Sequence, residues 1–126
     1  MKARILIVDD EIAICDYLCT YLNAQGFQTM AAQTPEQGLQ LIDAQPVDLV
    51  VLDIALGEAD GLEVLETIKF AHPDLPVIML TGMGYDEELI AEALSKHASG
   101  YLSKTLPPAQ LLLEIKHTLC GAYAHA

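Results

Sequence analysis

Short apolar runs with almost no polar interruption constrain this chain more than anything else in it. Arg4-Ile5-Leu6-Ile7-Val8 ends at Asp9-Asp10, Leu49-Val50-Val51-Leu52 ends at Asp53, and Pro76-Val77-Ile78-Met79-Leu80 ends at Thr81. A shorter run, Gly100-Tyr101-Leu102, stops close to Lys104. Runs of this length, rich in β-branched residues and apolar at every position, are what strands buried on both faces require, and such strands belong to parallel sheets covered by helices.

The intervening segments carry the other period. Ile14, Tyr17, Leu18, Tyr21 and Leu22 recur at helical spacing, and Gly26 supplies a stop. Phe27 to Ala32 reads as a second, weaker strand. Thr34-Pro35-Glu36 opens a helix, with Thr34 as cap and Pro35 in the first turn, and Gln45-Pro46 closes it. Gly57 and Gly61 bracket a polar loop, after which Leu62, Leu65, Ile68 and Lys69 continue as a helix until His72-Pro73. Further helices are expected from about Asp86 to Lys96 and from Pro108 to about Leu119. Five strands alternating with five helices form an α/β sheet with right-handed crossovers, covered on both sides. Ligands of such sheets bind beyond the carboxyl ends of the strands, where Asp9, Asp10, Asp53, Thr81 and Lys104 all fall.

With 126 residues and no repeat or linker, the chain reads as one domain, residues 1–126. A formal charge of −12 with only six Lys and Arg argues against direct nucleic-acid binding. No apolar stretch approaches the roughly 20 residues of a membrane span. Met1-Lys2-Ala3-Arg4 leads into a strand without a cleavage site, which speaks against a signal peptide. Three cysteines, an odd number, fit a reducing cytoplasm better than a disulfide framework. Cys15 and Cys19 stand one helical turn apart and read as packing residues, since no nearby His or Cys completes a metal site. Tyr17, Tyr21 and Tyr123 read as core or rim aromatics, and Asp86, Glu87, Glu88 and Glu92 as a solvated helix face.

Taken singly, the residues at the strand ends have bland readings as caps, turns or surface charge. Together they make chemistry. Crowded carboxylates repel unless a cation joins them, and a hard divalent ion with oxygen ligands resolves the repulsion. An Asp carboxylate is also a nucleophile able to form an aspartyl phosphate, and phosphoryl transfer needs alignment and positive charge more than covalent help. Lys104 and a metal would supply the charge and Thr81 a hydroxyl donor.

Nearly the whole chain resembles the receiver domain of two-component response regulators. The resemblance is carried by Ile7-Val8-Asp9-Asp10-Glu11, Leu49-Val50-Val51-Leu52-Asp53-Ile54, Asp60-Gly61-Leu62-Glu63, Pro76-Val77-Ile78-Met79-Leu80-Thr81-Gly82 and Gly100-Tyr101-Leu102-Ser103-Lys104. It implies a flavodoxin-like doubly wound five-stranded parallel sheet of order 2-1-3-4-5 with five helices. It makes Asp53 the acceptor of a phosphoryl group from a sensor histidine kinase or phosphotransfer protein. Magnesium, or manganese in its place, would be bound by Asp10, Asp53 and the backbone carbonyl of Ala55, with Asp9 acting through water. Lys104 would pair with the phosphate, and Thr81 and Tyr101 would be the switch pair acting on the face of the fourth helix, fifth strand and fifth helix. The output would be a partner protein or an output domain.

The sequence departs from the family pattern at Gly57, where many receivers have Pro, and at Met83, a bulky residue two positions past Thr81. It departs again at Thr105, where many have a cis proline; a Lys104–Thr105 peptide is expected to be trans, because cis before a non-proline residue costs about 2.5–4 kcal/mol. Gly82 and Gly84 suit a loop that rearranges. Ala98 to Thr105, followed by Pro107-Pro108, resembles receivers of the NarL/LuxR-type subfamily. No output domain is read in the 126 residues, which therefore suggest a single-domain regulator or a receiver excised from a longer protein.

Three other functions compete. A haloacid-dehalogenase-type phosphatase, with an aspartate nucleophile, needs a second acid where Ala55 stands. A flavin or nucleotide carrier needs a phosphate loop where Asp9-Asp10-Glu11 would repel its ligand. A phosphorylation-independent pseudo-receiver would not need the full set of five residues.

Overall fold

The computed structural model describes residues 2–82 and 86–124, the last three by backbone only. Strand β1 (Arg4–Val8) is followed by α1 (Ile12–Ala24), β2 (Gln28–Ala32), α2 (Pro35–Ala44) and β3 (Leu49–Asp53). A small hairpin, β4 (Ala55–Leu56) and β5 (Ala59–Asp60), precedes α3 (Gly61–Ala71), β6 (Val77–Thr81), α4 (Glu87–Ser95), β7 (Gly100–Ser103) and α5 (Pro108–Ala124). The five long strands form one sheet in the order β2-β1-β3-β6-β7, every pair parallel. With the hairpin set aside, this is the expected 2-1-3-4-5 order.

The burial explains why the apolar runs were unbroken. Alternate residues of β1, Ile5 and Ile7, pack with Cys15, Leu18 and Leu22 of α1 and with Leu111 and Ile115 of α5. Leu6 and Val8 face the other way, into a core shared with Ile42 of α2, Leu62, Leu65 and Ile68 of α3 and Ala93 of α4. Both faces are therefore covered, and no position of β1, β3 or β6 past Arg4 is free to be polar until the strand ends.

Local signals set the element ends. Thr34 accepts a hydrogen bond from the Gln37 N–H at 3.2 Å, with Pro35 at the start of α2. Asp60 caps α3 through the Leu62 N–H at 2.9 Å, and Asp86 caps α4 through Glu88 and Leu89. Gly26 has φ +97°, the left-handed conformation that follows a helix C-terminus. The edge strand β2 starts at Gln28 rather than Phe27, because the Phe27 N–H still closes α1 on the Leu22 carbonyl at 3.1 Å.

The structure corrects two further boundaries. The stretch between Gly57 and Gly61 is half of a two-stranded hairpin whose turn holds Gly57 at φ +63°. Helix α5 continues beyond Leu119 to Ala124. No cis peptide occurs among the described residues, so Lys104–Thr105 is trans. Cys15 is buried, Cys19 packs beside it, and both are free. Tyr17 is exposed on α1 while Tyr21 packs against the α1/α5 core, and Asp86, Glu87, Glu88 and Glu92 are solvent-exposed. Met83, Gly84 and the side chain of Tyr123 lie outside the described residues.

Candidate functional site

Parallel register brings the strand ends together. Val8 stands beside Leu52, Asp53 beside Leu80, and Thr81 beside Ser103, so Asp9, Asp53, Thr81 and Lys104 emerge along one edge. The Lys104 N–H donates to the Thr81 carbonyl at 2.7 Å, which extends the β6–β7 ladder by one bond and fixes where the lysine leaves the sheet.

From there the ammonium reaches three carboxylates: Asp9 Oδ2 at 2.8 Å, Asp53 Oδ2 at 2.8 Å and Glu11 Oε1 at 3.2 Å. Asp9 and Asp53 are almost wholly buried. Asp53 Oδ1 accepts the Ala55 N–H at 3.2 Å, and Asp9 Oδ1 accepts the Glu11 N–H at 2.9 Å. Asp9 Oδ2 is an ion-pair contact only: it lies close to Nζ but off a hydrogen-bonding direction, and it has no other partner among the described residues. Asp10 is exposed beside them, and its carboxylate lies near Gly57.

Burial pushes the Asp53 carboxyl above its ordinary value; the Lys104 and Ala55 hydrogen bonds pull it back in part, and the Asp9 charge adds to the rise. For Lys104, burial works against the charged form, but the hydrogen bond to Asp53 and the negative charge of Asp53 and Asp9 outweigh it and hold the ammonium well above the usual lysine range. Four carboxylates, from Asp9, Asp10, Glu11 and Asp53, offer oxygens within 4.8 Å of one another, against one ammonium. That donor set, all hard oxygens with one buried oxygen lacking a hydrogen bond, fits a divalent cation of the magnesium type.

Thr81 is fully buried at the end of β6. Tyr101 sits two layers lower on β7, paired with Met79, its ring in the core with Val77, Ala93 and Ala98. Its hydroxyl is buried and has no hydrogen-bond partner among the described residues.

Residues 5–116 match the response regulator receiver domain. The chain belongs to that family. A receiver domain protein (CheY-like) of Methanospirillum hungatei superposes with a TM-score of 0.94 at 32 % identity, covering 100 % of both chains. The regulatory protein VanRc of Enterococcus gallinarum is 34 % identical over 119 residues, 94 % of this chain and 51 % of that protein. The transcriptional regulatory protein ZraR of Klebsiella oxytoca is 36 % identical over 124 residues, 98 % of this chain and 27 % of that protein. The chain thus spans about half the length of the first regulator and about a quarter of the second. It is a receiver of the two-component type, a signalling domain and not a classical enzyme, from a family whose acidic pocket binds magnesium and whose members work with histidine kinases and output domains.

Of the residues singled out in the sequence, the receiver fold draws Asp9, Asp10, Asp53 and Lys104 into one cluster with Thr81 beside it. Two contributors went unassigned. Glu11, quoted only as part of a motif, is a third partner of Lys104. Gly61 lies against the backbone after Asp53, where a Cβ would come within 2.3 Å of the Asp53 carbonyl oxygen. Ser103 and Thr105 also share a hydroxyl hydrogen bond at 2.7 Å, which ties down the turn after Lys104 without proline.

Proposed function

We propose that Asp53 is the phosphoacceptor of this receiver. The nitrogen–phosphorus bond of a kinase phosphohistidine breaks as an Asp53 carboxylate oxygen bonds to phosphorus, and the imidazole leaves; water later releases inorganic phosphate and restores the carboxylate. Catalysis by the chain is confined to its own phosphorylation and dephosphorylation. The observation that carries this reading is a nearly buried carboxylate at the end of the central strand with a lysine ammonium 2.8 Å away.

Lys104 would hold one phosphoryl oxygen and Thr81 another through its hydroxyl. Asp10, Asp53 and the Ala55 carbonyl would bind magnesium, or manganese, with Asp9 acting through water. When bound, that ion supplies positive charge to the phosphoryl oxygens. Thr81 drawn toward the phosphoryl group, with the Tyr101 ring held in the core where it already lies, would shift the α4–β7–α5 face, and through it a partner or an output domain. The likeness of Ala98–Thr105 and Pro107-Pro108 to LuxR-coupled receivers supports a DNA-binding output of that type. The free cysteines support a cytoplasmic setting; no described helix is long and apolar enough to cross a membrane.

Intact-protein mass spectrometry after acetyl phosphate treatment with magnesium tests this. One added phosphoryl group, absent in Asp53→Asn, is expected; a phosphorylated His or a second modified Asp would overturn it.

A further inference from the structure

Three carboxylates crowd the Lys104 ammonium, which donates hydrogen bonds to Asp53 and Glu11 and lies against Asp9 Oδ2 as an ion pair. Asp9 and Asp53 are fixed: their side chains are 1 % and 4 % exposed and each lies 2.8 Å from Nζ. Glu11 differs on both counts, at 3.2 Å and 61 % exposed. It also occupies the N-cap of α1 yet makes no capping bond with its side chain. Glutamate is a poor cap in any case, so helix formation does not explain the residue type. Its backbone N–H, held by Asp9 Oδ1 at 2.9 Å, anchors the residue beside the site while the carboxylate turns to the lysine.

We propose that Glu11 is a positioning residue that tethers Lys104 in the unphosphorylated receiver and competes with the incoming phosphoryl group for it. This rests on the reading of Asp53 and Lys104 given above. A phosphoryl oxygen needs a place among the carboxylates packed around the ammonium, and the partner that yields is the one most distant and most hydrated. Glu11 takes no part in the bonds made or broken at phosphorus. Its effect is to hold the lysine over Asp53 at rest and to set a threshold, through like charge and competition, against capture of phosphate-like anions. The tether is thus a determinant of how readily this receiver loads.

The test is beryllofluoride binding, in which the analogue coordinates an Asp53 oxygen in place of the phosphoryl group. Wild type and Glu11→Gln are compared at saturating magnesium and at two ionic strengths, binding being followed by amide NMR. Glutamine keeps the length of the side chain but not its charge. A charge a few ångströms from the ligand in a partly hydrated site corresponds to about three- to tenfold tighter binding in the variant. That gain should narrow at high salt, because Glu11 is exposed. A purely structural role would change the melting temperature and leave no salt-dependent gain. Unchanged or weaker binding in the variant, with normal uptake by the wild type, overturns the tether alone. Failure of the wild type to bind beryllofluoride at all overturns the receiver chemistry and the tether with it.

Discussion

Replacing Tyr101 by Phe should stabilise this protein, against the usual expectation for a change in a core. The ring is 9 % exposed and packs among Val77, Met79, Ala93 and Ala98, all of which phenylalanine would keep. What it removes is a buried hydroxyl with no hydrogen-bond partner among the described residues. An unsatisfied buried polar group costs about 1–3 kcal/mol, and deleting the group itself creates no new orphan. We therefore expect Tyr101→Phe to gain about 1–2 kcal/mol, or about 3–6 °C in melting temperature for a domain of this size. Urea unfolding followed by far-UV circular dichroism, with divalent ions chelated, measures the gain. The slope with denaturant should stay constant, placing the effect in the folded state. A gain of this size would also favour the ring-in arrangement, and so tighten beryllofluoride binding by up to about tenfold per 1.4 kcal/mol if that arrangement is the one that binds. A variant no more stable than the wild type at unchanged slope refutes the argument, since the hydroxyl must then be bonded in solution.

The rise of the Asp53 carboxyl sets a pH signature. A carboxyl whose folded pKa exceeds its unfolded one favours folding more as pH falls through the window from the folded value down to the unfolded value near 4. The stability of the wild type relative to Asp53→Asn, measured by urea unfolding without metal, should therefore increase between neutral pH and about 4.5; a difference that stays flat or declines contradicts the assignment. Gly61→Ala should lose about 1–3 kcal/mol in chemical denaturation, because the new Cβ meets the Asp53 carbonyl at 2.3 Å and backbone must shift, and it should weaken magnesium binding in a fluorescence or NMR titration. Magnesium should raise the melting temperature of the wild type more than that of Asp10→Ala. Equal shifts would remove Asp10 from the metal site.

How much of this was readable in the sequence follows from burial. Strands β1, β3 and β6 are covered on both faces, so their sequences had no freedom and announced themselves. Strand β2, at the edge and partly exposed, gave a weaker signal and a start one residue early. Two-residue strands such as Ala55–Leu56 and Ala59–Asp60 contain no period to detect, and past Leu119 the α5 residues Cys120 and Gly121 are exposed and carry no apolar period. The acids and the lysine were found because topology sends strand ends to one edge. The bond from Glu11 to Lys104 spans 93 residues of sequence between two side chains, and the orphaned Tyr101 hydroxyl depends on where a ring settles. Neither has a one-dimensional signature.

The central claim is that a phosphoryl group is carried on Asp53. Borohydride reduction converts an aspartyl phosphate to homoserine and leaves free carboxylates alone, so peptide mapping of the magnesium- and acetyl-phosphate-treated protein reads the site directly. Homoserine is expected at position 53 alone, lost when magnesium is chelated. Homoserine at Asp9 or Asp10, or none at any position in a protein that has gained phosphate, would contradict it.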